Sequence, residues 1–168
     1  MNNYQEEFGK IYDEFVDKIY RFVFIKVNSE EIAEDLTSDV FLRCYQVYKR
    51  DQNSIDNIQA FLYQIARNLI VDHYRSKSKN KVVSVDDYPI PDPKSDIEKS
   101  VEKKIDMEKI KAVLAGLDNS DYQDVVVWHY VDDLSVPEIA KIMEKPEGTI
   151  RVMIHRALGE VRKKINEI

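Results

Sequence analysis

A cluster of polar and basic side chains near the C-terminus has the residue types needed to bind nucleic acid. Thr149, Arg151, Val152, His155 and Arg156 occur within eight residues, at spacings that place them on the outer side of an α-helix. A hydroxyl and the backbone N–H groups at a helix start suit a phosphate. Arginine can contact a phosphate or a guanine edge, and the sequence leaves both open. These five residues form a candidate DNA-binding group.

The stretch that carries this group, residues 134–164, is typical of two helices joined by a tight turn. Ser135 and Glu138 have the spacing of a capping box, which begins the first helix. Pro146 and Gly148 are expected to stop that helix and allow a sharp change of direction. The pattern is that of a DNA-binding helix-turn-helix, although an ordinary helical hairpin with a solvated face has the same spacing. The residues expected to face inward from the second helix are Ile150, Ile154, Ala157, Leu158, Val161 and Ile165.

A second group of side chains is acidic and lies on a predicted helix near the N-terminus. Glu34, Asp35 and Asp39 surround the apolar Leu36. The group has three interpretations: a solvated helix face, carboxylate metal ligands, or a docking surface for a basic partner. Metal binding is disfavoured because no histidine accompanies the carboxylates, and the apolar centre favours docking.

The sequence contains no set of residues that indicates catalysis or a bound cofactor. It lacks a glycine-rich phosphate loop, a nucleophile elbow and a zinc-protease motif. The three histidines, His73, His129 and His155, fall on separate predicted helices. The single cysteine, Cys44, excludes a disulfide framework and is expected in a core, which suits a reducing cytoplasm. We therefore predict a protein that is not an enzyme and holds no metal.

Three amphipathic helices are predicted in the first 75 residues. The first covers residues 4–27, the second begins after Ser29 and runs to about Tyr48, and the third begins after Asn57. The loop between the last two covers residues 50–57. The second helix would bury Ile32, Leu36, Val40, Cys44 and Val47. The third would bury Ile58, Phe61, Leu62, Ile65, Ala66, Leu69 and Ile70, and would leave Gln59, Tyr63, Gln64, Arg67, Asn68 and Arg75 outside.

A change of composition divides the chain. Residues 76–81 alternate Ser or Asn with Lys, and three prolines follow before residue 96, which favours extended chain. We predict an all-α protein with a three-helix bundle at residues 1–75, a flexible linker at 76–96 and a four-helix domain at 97–168. In that second domain, helix resumes near Asp96, Ser120 and Gln123 form a capping-box pair, and Trp128 lies in the core.

The charge distribution limits how the chain can bind DNA. The net charge is −6, yet residues 134–168 carry seven basic and five acidic side chains. Phosphate neutralisation supplies much of the affinity for DNA. An acidic protein with one small basic face is therefore expected to bind weakly alone and to need a partner that brings it to DNA. No stretch is apolar and long enough to span a bilayer, and the N-terminus does not resemble a signal peptide.

Three stretches resemble the bacterial sigma factors of the extracytoplasmic-function group. Residues 33–41, AEDLTSDVF, resemble part of the family's second region, and residues 61–75, FLYQIARNLIVDHYR, resemble its promoter-reading helix. Residues 134–164 resemble the fourth region, in which GTIR at 148–151 matches a family motif. The three stretches occur in the family's order and leave only the linker and short termini uncovered.

The resemblance implies a subunit that binds core RNA polymerase and directs it to promoter DNA. Asp35, Leu36 and Asp39 would dock on the coiled coil of the largest polymerase subunit. Residues 50–57 and the following helix would hold the melted minus-ten element, and the last helix would contact the minus-thirty-five element in the major groove. The implied minus-ten residues are Tyr63, Arg67, Asn68 and Arg75. An anti-sigma partner, a monomeric free state and a cytoplasmic location are further implications.

The chain departs from the family pattern in its last helix. Val152 and Met153 stand where the family usually has Ser and Arg, so the resemblance does not carry that polar and that basic contact over to this chain. Leu117 and Asp118 stand where the family usually has Leu and Pro. Two rival functions remain: a free-standing helix-turn-helix regulator, which would need a dimer for paired half-sites, and a helical module that sequesters a protein and never contacts DNA.

Overall fold

Every regular element in the part of the chain that the structure describes is helical, which confirms the predicted all-α class. The computed structural model describes residues 3–79 and 101–166, and no strand occurs there. Its α-helices are α1 (Asn3–Val27), α2 (Glu30–Arg50), α3 (Ile58–Lys79), α4 (Val101–Ala115), α5 (Ser120–Val126), α6 (Val136–Met143) and α7 (Glu147–Asn166). They form two compact units: the first contains α1–α3 and the second α4–α7.

Short polar segments set the helix boundaries of the first unit. Asn28, with φ of 55°, ends α1, and asparagine tolerates this left-handed conformation better than most residues. The Ser29 hydroxyl then accepts a hydrogen bond from the Ile32 N–H at 3.3 Å and begins α2. Asn57 caps α3 by accepting from the Ala60 N–H at 2.9 Å. Both caps agree with the sequence prediction.

The core of the first unit lies where the three helices meet, and it holds Cys44 in α2. Burial raises the pKa of the Cys44 thiol to about 12, so this side chain is an inert core residue as predicted. Ile32, Leu36 and Val47 were predicted to face inward and are only half-buried. The buried residues of α2 are Ala33, Thr37, Val40, Phe41 and Cys44.

The predicted position of Tyr63 on the outer side of α3 is wrong. Its side chain is 0% exposed and lies edge-to-face against Phe22, with ring centroids 5.5 Å apart. Because both α1 and α2 pack against α3, this helix buries a wider arc than a helix with one neighbour would. A tyrosine at the margin of the apolar stripe is therefore enclosed.

The third helix continues four residues beyond the predicted start of the linker. α3 ends at Lys79, so residues 76–79 are helical. Serine and lysine are compatible with a helix, and no proline or glycine occurs between Arg75 and Pro89. The remaining linker residues and the predicted helix start at Asp96 lie outside the described residues.

The start of α5 differs from the predicted capping box at Ser120 and Gln123. Asn119 is the N-cap, since its side-chain oxygen accepts from the Asp121 N–H at 2.9 Å. The Gln123 amide instead donates to the carbonyl oxygens of Leu114 and Leu117, at 3.0 and 2.8 Å. Gln123 thus adds hydrogen bonds to carbonyl groups at the end of α4 and just beyond it, where the carbonyl groups of a helix lack partners within the helix.

A π-helical segment follows α5 and contains the single tryptophan of the chain. Residues Val127–Val131 form this segment, and Trp128 is 0% exposed, as predicted. The His129 ring lies 2.9 Å from the Leu134 carbonyl oxygen, and the Leu134 N–H donates to the Trp128 carbonyl at 2.8 Å. These contacts hold the end of the segment beside the start of α6.

The two helices α6 and α7 form the predicted helix-turn-helix. Ser135 and Glu138 make both capping-box hydrogen bonds, each 3.2 Å long. The sharp change of direction occurs at Glu144, whose φ is 56° and which caps the end of α6. Gly148 lies instead in the first turn of α7 and has no positive φ, so its predicted role in the turn is wrong.

One side of α7 packs against the rest of the second unit. Ile150, Ile154 and Ala157 are buried as predicted, and Leu158 and Val161 are half-buried. Ile165 was predicted to face inward but is 53% exposed, because the last turn of α7 extends beyond the core. Met153 is also buried, with 8% exposure.

We predict that Glu144→Gly stabilises the second unit by roughly 0.5–1 kcal/mol, because glycine adopts a left-handed backbone without the steric cost of a Cβ atom. Trp128 is the only tryptophan and is buried in that unit, so its fluorescence during urea denaturation reports the unfolding. Glu144→Ala keeps a Cβ atom and is the matched control, with no gain expected. Equal stability of Glu144→Gly and the wild type would show that Glu144 bears no strain.

Candidate nucleic-acid interface

The candidate DNA-binding group lies on the outer side of α7. Thr149, Arg151, Val152, His155 and Arg156 are all exposed. Ile150 and Ile154, on the opposite side, are 0% and 8% exposed. Their burial orients α7, so the orientation predicted for all five residues is confirmed.

The start of α7 can bind an anion. The N–H groups in the first turn of an α-helix have no partner within the helix, and the helix dipole favours negative charge there. Thr149 is exposed in that turn and adds a hydroxyl group. Arg151 lies one residue beyond Ile150, and its guanidinium is 3.8 Å from the Glu147 carboxylate.

The ion pair between Arg151 and Glu147 does not prevent Arg151 from binding a phosphate. The two side chains are 64% and 49% exposed, and exposed pairs of this type contribute about 0–1 kcal/mol. A phosphate can therefore replace Glu147 as the partner of Arg151. Arg156, five residues further along α7 and on the other flank of its outer side, is also exposed.

The two residues at which α7 departs from the family pattern lie in different environments. Met153 is 8% exposed and belongs to the core of the second unit. Val152 is 48% exposed and lies on the outer side. The methionine is therefore not available to contact DNA, and the valine alone changes the chemistry of the exposed face.

The acidic group on α2 forms a surface with an apolar part. Asp35 is exposed, Leu36 is half-buried, and the Asp39 carboxylate pairs with Arg43 at 3.1 Å. Leu42 was missed by the sequence analysis and is 55% exposed. Positions 35, 39 and 42 recur at steps of four and three residues, which places them on one side of the helix. That spacing was visible in the sequence, but leucine is more often buried.

The outer side of α3 carries part of the predicted minus-ten group. Asn68 and Arg75 are exposed and lie seven residues apart, on the same side, and Arg67 is half-buried. Tyr63 does not reach this surface. Tyr74, which the sequence analysis missed, is 38% exposed, and its hydroxyl donates to the carbonyl of Lys26. Its aromatic ring is therefore partly exposed at the surface next to Arg75.

Histidine 73 does not add positive charge to this surface at neutral pH. Burial, with a smaller contribution from the nearby Lys77 charge, lowers the pKa of His73. The ring stands edge-to-face against Tyr74, with centroids 5.4 Å apart. The described cationic groups of this part of α3 are therefore the arginine side chains and the exposed Lys77.

Neither a metal site nor a membrane span is present in residues 3–79 and 101–166. No three His, Cys, Asp or Glu side chains come together there in a way that could hold a metal ion. No helix in the same ranges is long and apolar enough to cross a membrane.

Two family models match the chain, each on one structural unit. The model of Sigma-70 region 2 matches residues 11–80, which cover most of the first unit. The model of Sigma-70 region 4 matches residues 109–161, which include the helix-turn-helix. The two matched ranges together cover most of the sequence, in the order that the resemblance predicts.

Individual sigma factors are similar to the chain over nearly its full length. The ECF RNA polymerase sigma factor BldN of Streptomyces coelicolor is 32% identical over 157 residues, which are 91% of this chain and 58% of BldN. SigW of Bacillus subtilis is 28% identical over 180 aligned positions, with 98% of this chain and 91% of SigW covered. SigM of the same organism is 25% identical, with 94% of each protein covered.

Solved structures have the same fold. CnrH, solved in complex with the cytosolic domain of CnrY, superposes with a TM-score of 0.72 at 15% identity, over 97% of this chain and 90% of CnrH. RpoE of Bartonella quintana, solved with the anti-sigma factor NepR, gives a TM-score of 0.71 at 19% identity, over 96% and 98% of the two chains. Since both Sigma-70 models match in order and ECF sigma factors are similar over more than 90% of the chain, the chain belongs to the extracytoplasmic-function sigma factors of bacterial RNA polymerase.

Proposed function

We propose that this sigma factor binds core RNA polymerase through α2 and brings it to promoters through α3 and α7. The observation that carries the proposal is the orientation of α7, which exposes the polar and basic residues of a region 4 helix-turn-helix. The synthesis of RNA remains the chemistry of the polymerase, in the cytoplasm. The sigma factor contributes binding and orientation.

The net charge of the chain supports separate roles for its contacts with polymerase and its contacts with DNA. With a net charge of −6, the whole chain repels DNA at long range, and few cations are available to release counterions. Attachment to a large DNA-binding enzyme removes this difficulty, because the local concentration of promoter DNA around the tethered chain is then high. Stable binding to polymerase is therefore a requirement for promoter binding.

The docking surface on α2 is defined by Asp35, Leu36, Asp39 and Leu42. Carboxylates on this surface suit a basic partner, and the complementary charges speed association and fix orientation. Leu42, with 55% exposure, and the half-buried Leu36 supply apolar area that docking would remove from water. The coiled coil of the largest polymerase subunit is the partner that the family implies.

We predict that Asp39→Lys weakens binding to core polymerase by about tenfold or more, which corresponds to ~1.4 kcal/mol. In the wild type, the Asp39 carboxylate lies 3.1 Å from the Arg43 guanidinium. The lysine of the variant places a second cation beside Arg43, which would repel a basic partner. The Asp39 side chain is 37% exposed, and surface substitutions usually change stability by within about 0.5 kcal/mol, so the melting transition should remain near that of the wild type. Binding is measured by titrating labelled protein with core polymerase.

The matched control for this experiment is Glu14→Lys. Glu14 is exposed on α1 in the same unit, so the variant has the same net charge as Asp39→Lys but an intact α2 surface. It should bind core polymerase as the wild type does. Equal affinities of the two variants for core polymerase would show that α2 does not form the docking surface.

The exposed side of α3 suits a single DNA strand. Asn68 offers hydrogen-bond donors and acceptors to a base edge, and Arg67 and Arg75 offer cations to the backbone. The Tyr74 ring provides a planar surface in place of the buried Tyr63. We assign non-template bases of the melted minus-ten element to this surface, since unstacked bases need planar and cationic partners.

The outer side of α7 suits duplex DNA in the major groove, where each base pair presents a distinct pattern of donors and acceptors. Thr149 and the first-turn N–H groups would hold a phosphate, which fixes the position of the helix. Arg151, His155 and Arg156 then lie on the side that faces the groove. The minus-thirty-five element is the duplex that the family implies for this helix.

We predict that Arg156→Ala severely reduces transcription from a promoter that depends on its minus-thirty-five element, while binding to core polymerase persists. Loss of a base contact costs roughly 1–3 kcal/mol and relaxes specificity at one position, whereas loss of a phosphate contact weakens binding to all sequences and lowers the salt slope by about one unit. Promoter titrations at several salt concentrations distinguish the loss of a base contact from the loss of a phosphate contact.

The matched control for Arg156 is Arg162→Ala, on the same helix. Arg162 is exposed but lies in the last third of α7, away from its first turns. Its loss should leave the sequence preference unchanged. Transcription by Arg156→Ala at the wild-type level in physiological salt would mean that α7 does not enter the groove.

An anti-sigma factor is a further proposed partner, and a monomer is the proposed free state. The RpoE and CnrH structures, which share this fold, were solved with an anti-sigma factor and with the cytosolic domain of CnrY, respectively. A partner that covers α2 or α7 would compete directly with polymerase or DNA. Size measurement of the purified chain, with and without candidate partners, tests both statements.

A further inference from the structure

The centre of the exposed side of α7 contains one apolar side chain between two glycines. With about 3.6 residues per turn, Gly148, Val152, His155 and Gly159 follow one another along the same line of the helix surface. Thr149 and Arg156 lie on one flank of this line, and Arg151 lies on the other. Val152 is 48% exposed, so an apolar group occupies the middle of an otherwise polar face.

Gly148 leaves the helix surface open one turn before Val152, and Gly159 leaves it open one turn beyond His155. A Cβ atom added at Gly148 or Gly159 would meet nothing within 4 Å, and both positions are exposed. Neither glycine has a positive φ, so no backbone conformation requires glycine at these positions. Their effect is to let the helix backbone and the Val152 methyl groups approach a ligand closely.

The major groove offers one apolar group that can match Val152. Guanine, cytosine and adenine present hydrogen-bond donors and acceptors there, and only thymine adds a methyl group at C5. A valine side chain has no donor or acceptor, so it cannot select among bases by hydrogen bonding. Its two methyl groups can bury the thymine methyl, which would otherwise remain in contact with water.

From this arrangement we infer that Val152 is a specificity-determining residue that selects a thymine in the minus-thirty-five element through its 5-methyl group. The inference rests on the proposed function, since it requires α7 in the major groove of duplex DNA. The arginines on the flanks hold the helix against the phosphates or neighbouring bases. Val152 then distinguishes thymine at one position from cytosine and from uracil, which lack the methyl group.

The experiment uses holoenzyme assembled from core polymerase and the full chain. A duplex promoter with a randomised segment upstream of the minus-ten element is first selected for binding, which yields the preferred minus-thirty-five sequence. Each thymine in that sequence, on either strand, is then replaced singly by deoxyuridine. The replacement removes one methyl group and keeps every donor and acceptor of the base.

We expect one thymine at which uracil lowers the affinity by about fourfold, the equivalent of roughly 0.8 kcal/mol for one buried methyl group. Val152→Ser should bind the thymine and uracil duplexes equally at that position. Val152→Ile, which remains apolar, should still prefer thymine. Helicity should be unchanged in both variants, because position 152 is on the surface.

Two results would overturn the inference: a preferred sequence in which no thymine is sensitive to uracil, or a Val152→Ser variant with undiminished uracil sensitivity. In both cases a preferred sequence that still depends on Arg156 would leave the proposed function of α7 intact. Failure to select any upstream sequence would instead contradict the proposed function itself.

Discussion

The burial of one side of α7 is the constraint on which the proposed DNA-binding face depends. Ile150, Ile154 and Ala157 are 0%, 8% and 0% exposed, and removing such side chains from water stabilises the helix in one rotational orientation. A rotation by one residue would expose these apolar groups and bury Arg151 or His155. The same packing therefore supports the stability of the second unit and decides which side chains can meet DNA.

Electrostatics makes the two units interdependent in function although each has its own core. The helix-turn-helix stretch, residues 134–168, carries seven basic and five acidic side chains, and we expect this small excess of cations to be too weak for tight binding to DNA alone. The acidic surface on α2 compensates because it suits a basic protein partner that binds DNA independently. In the proposed function, carboxylates that contribute to the repulsion of DNA from the free chain also attach the chain to polymerase.

Local signals in the sequence predicted much of this structure, and tertiary packing explains most of the errors. The caps at Ser29, Asn57 and Ser135 were predictable because each depends on a side chain and a backbone group about three residues away. The burial of Tyr63 was not, since it follows from two helices packing on α3. Among the site residues, the exposure of those on α7 could be predicted from the helical spacing of the apolar residues in the sequence. Leu42 and Tyr74 were missed because apolar residues at helical spacing are usually assigned to a core.

The central claim is that the chain directs core polymerase to specific promoters and is not a free-standing regulator that binds DNA without polymerase. The most direct test is multi-round transcription of a genomic fragment library with core polymerase, with the purified chain and with both together. Our account predicts discrete start sites only when both are present, and a free chain that is monomeric and has weak affinity for the same fragments. A dimeric chain that binds paired half-sites tightly without polymerase, and yields no new start sites with it, would contradict the account.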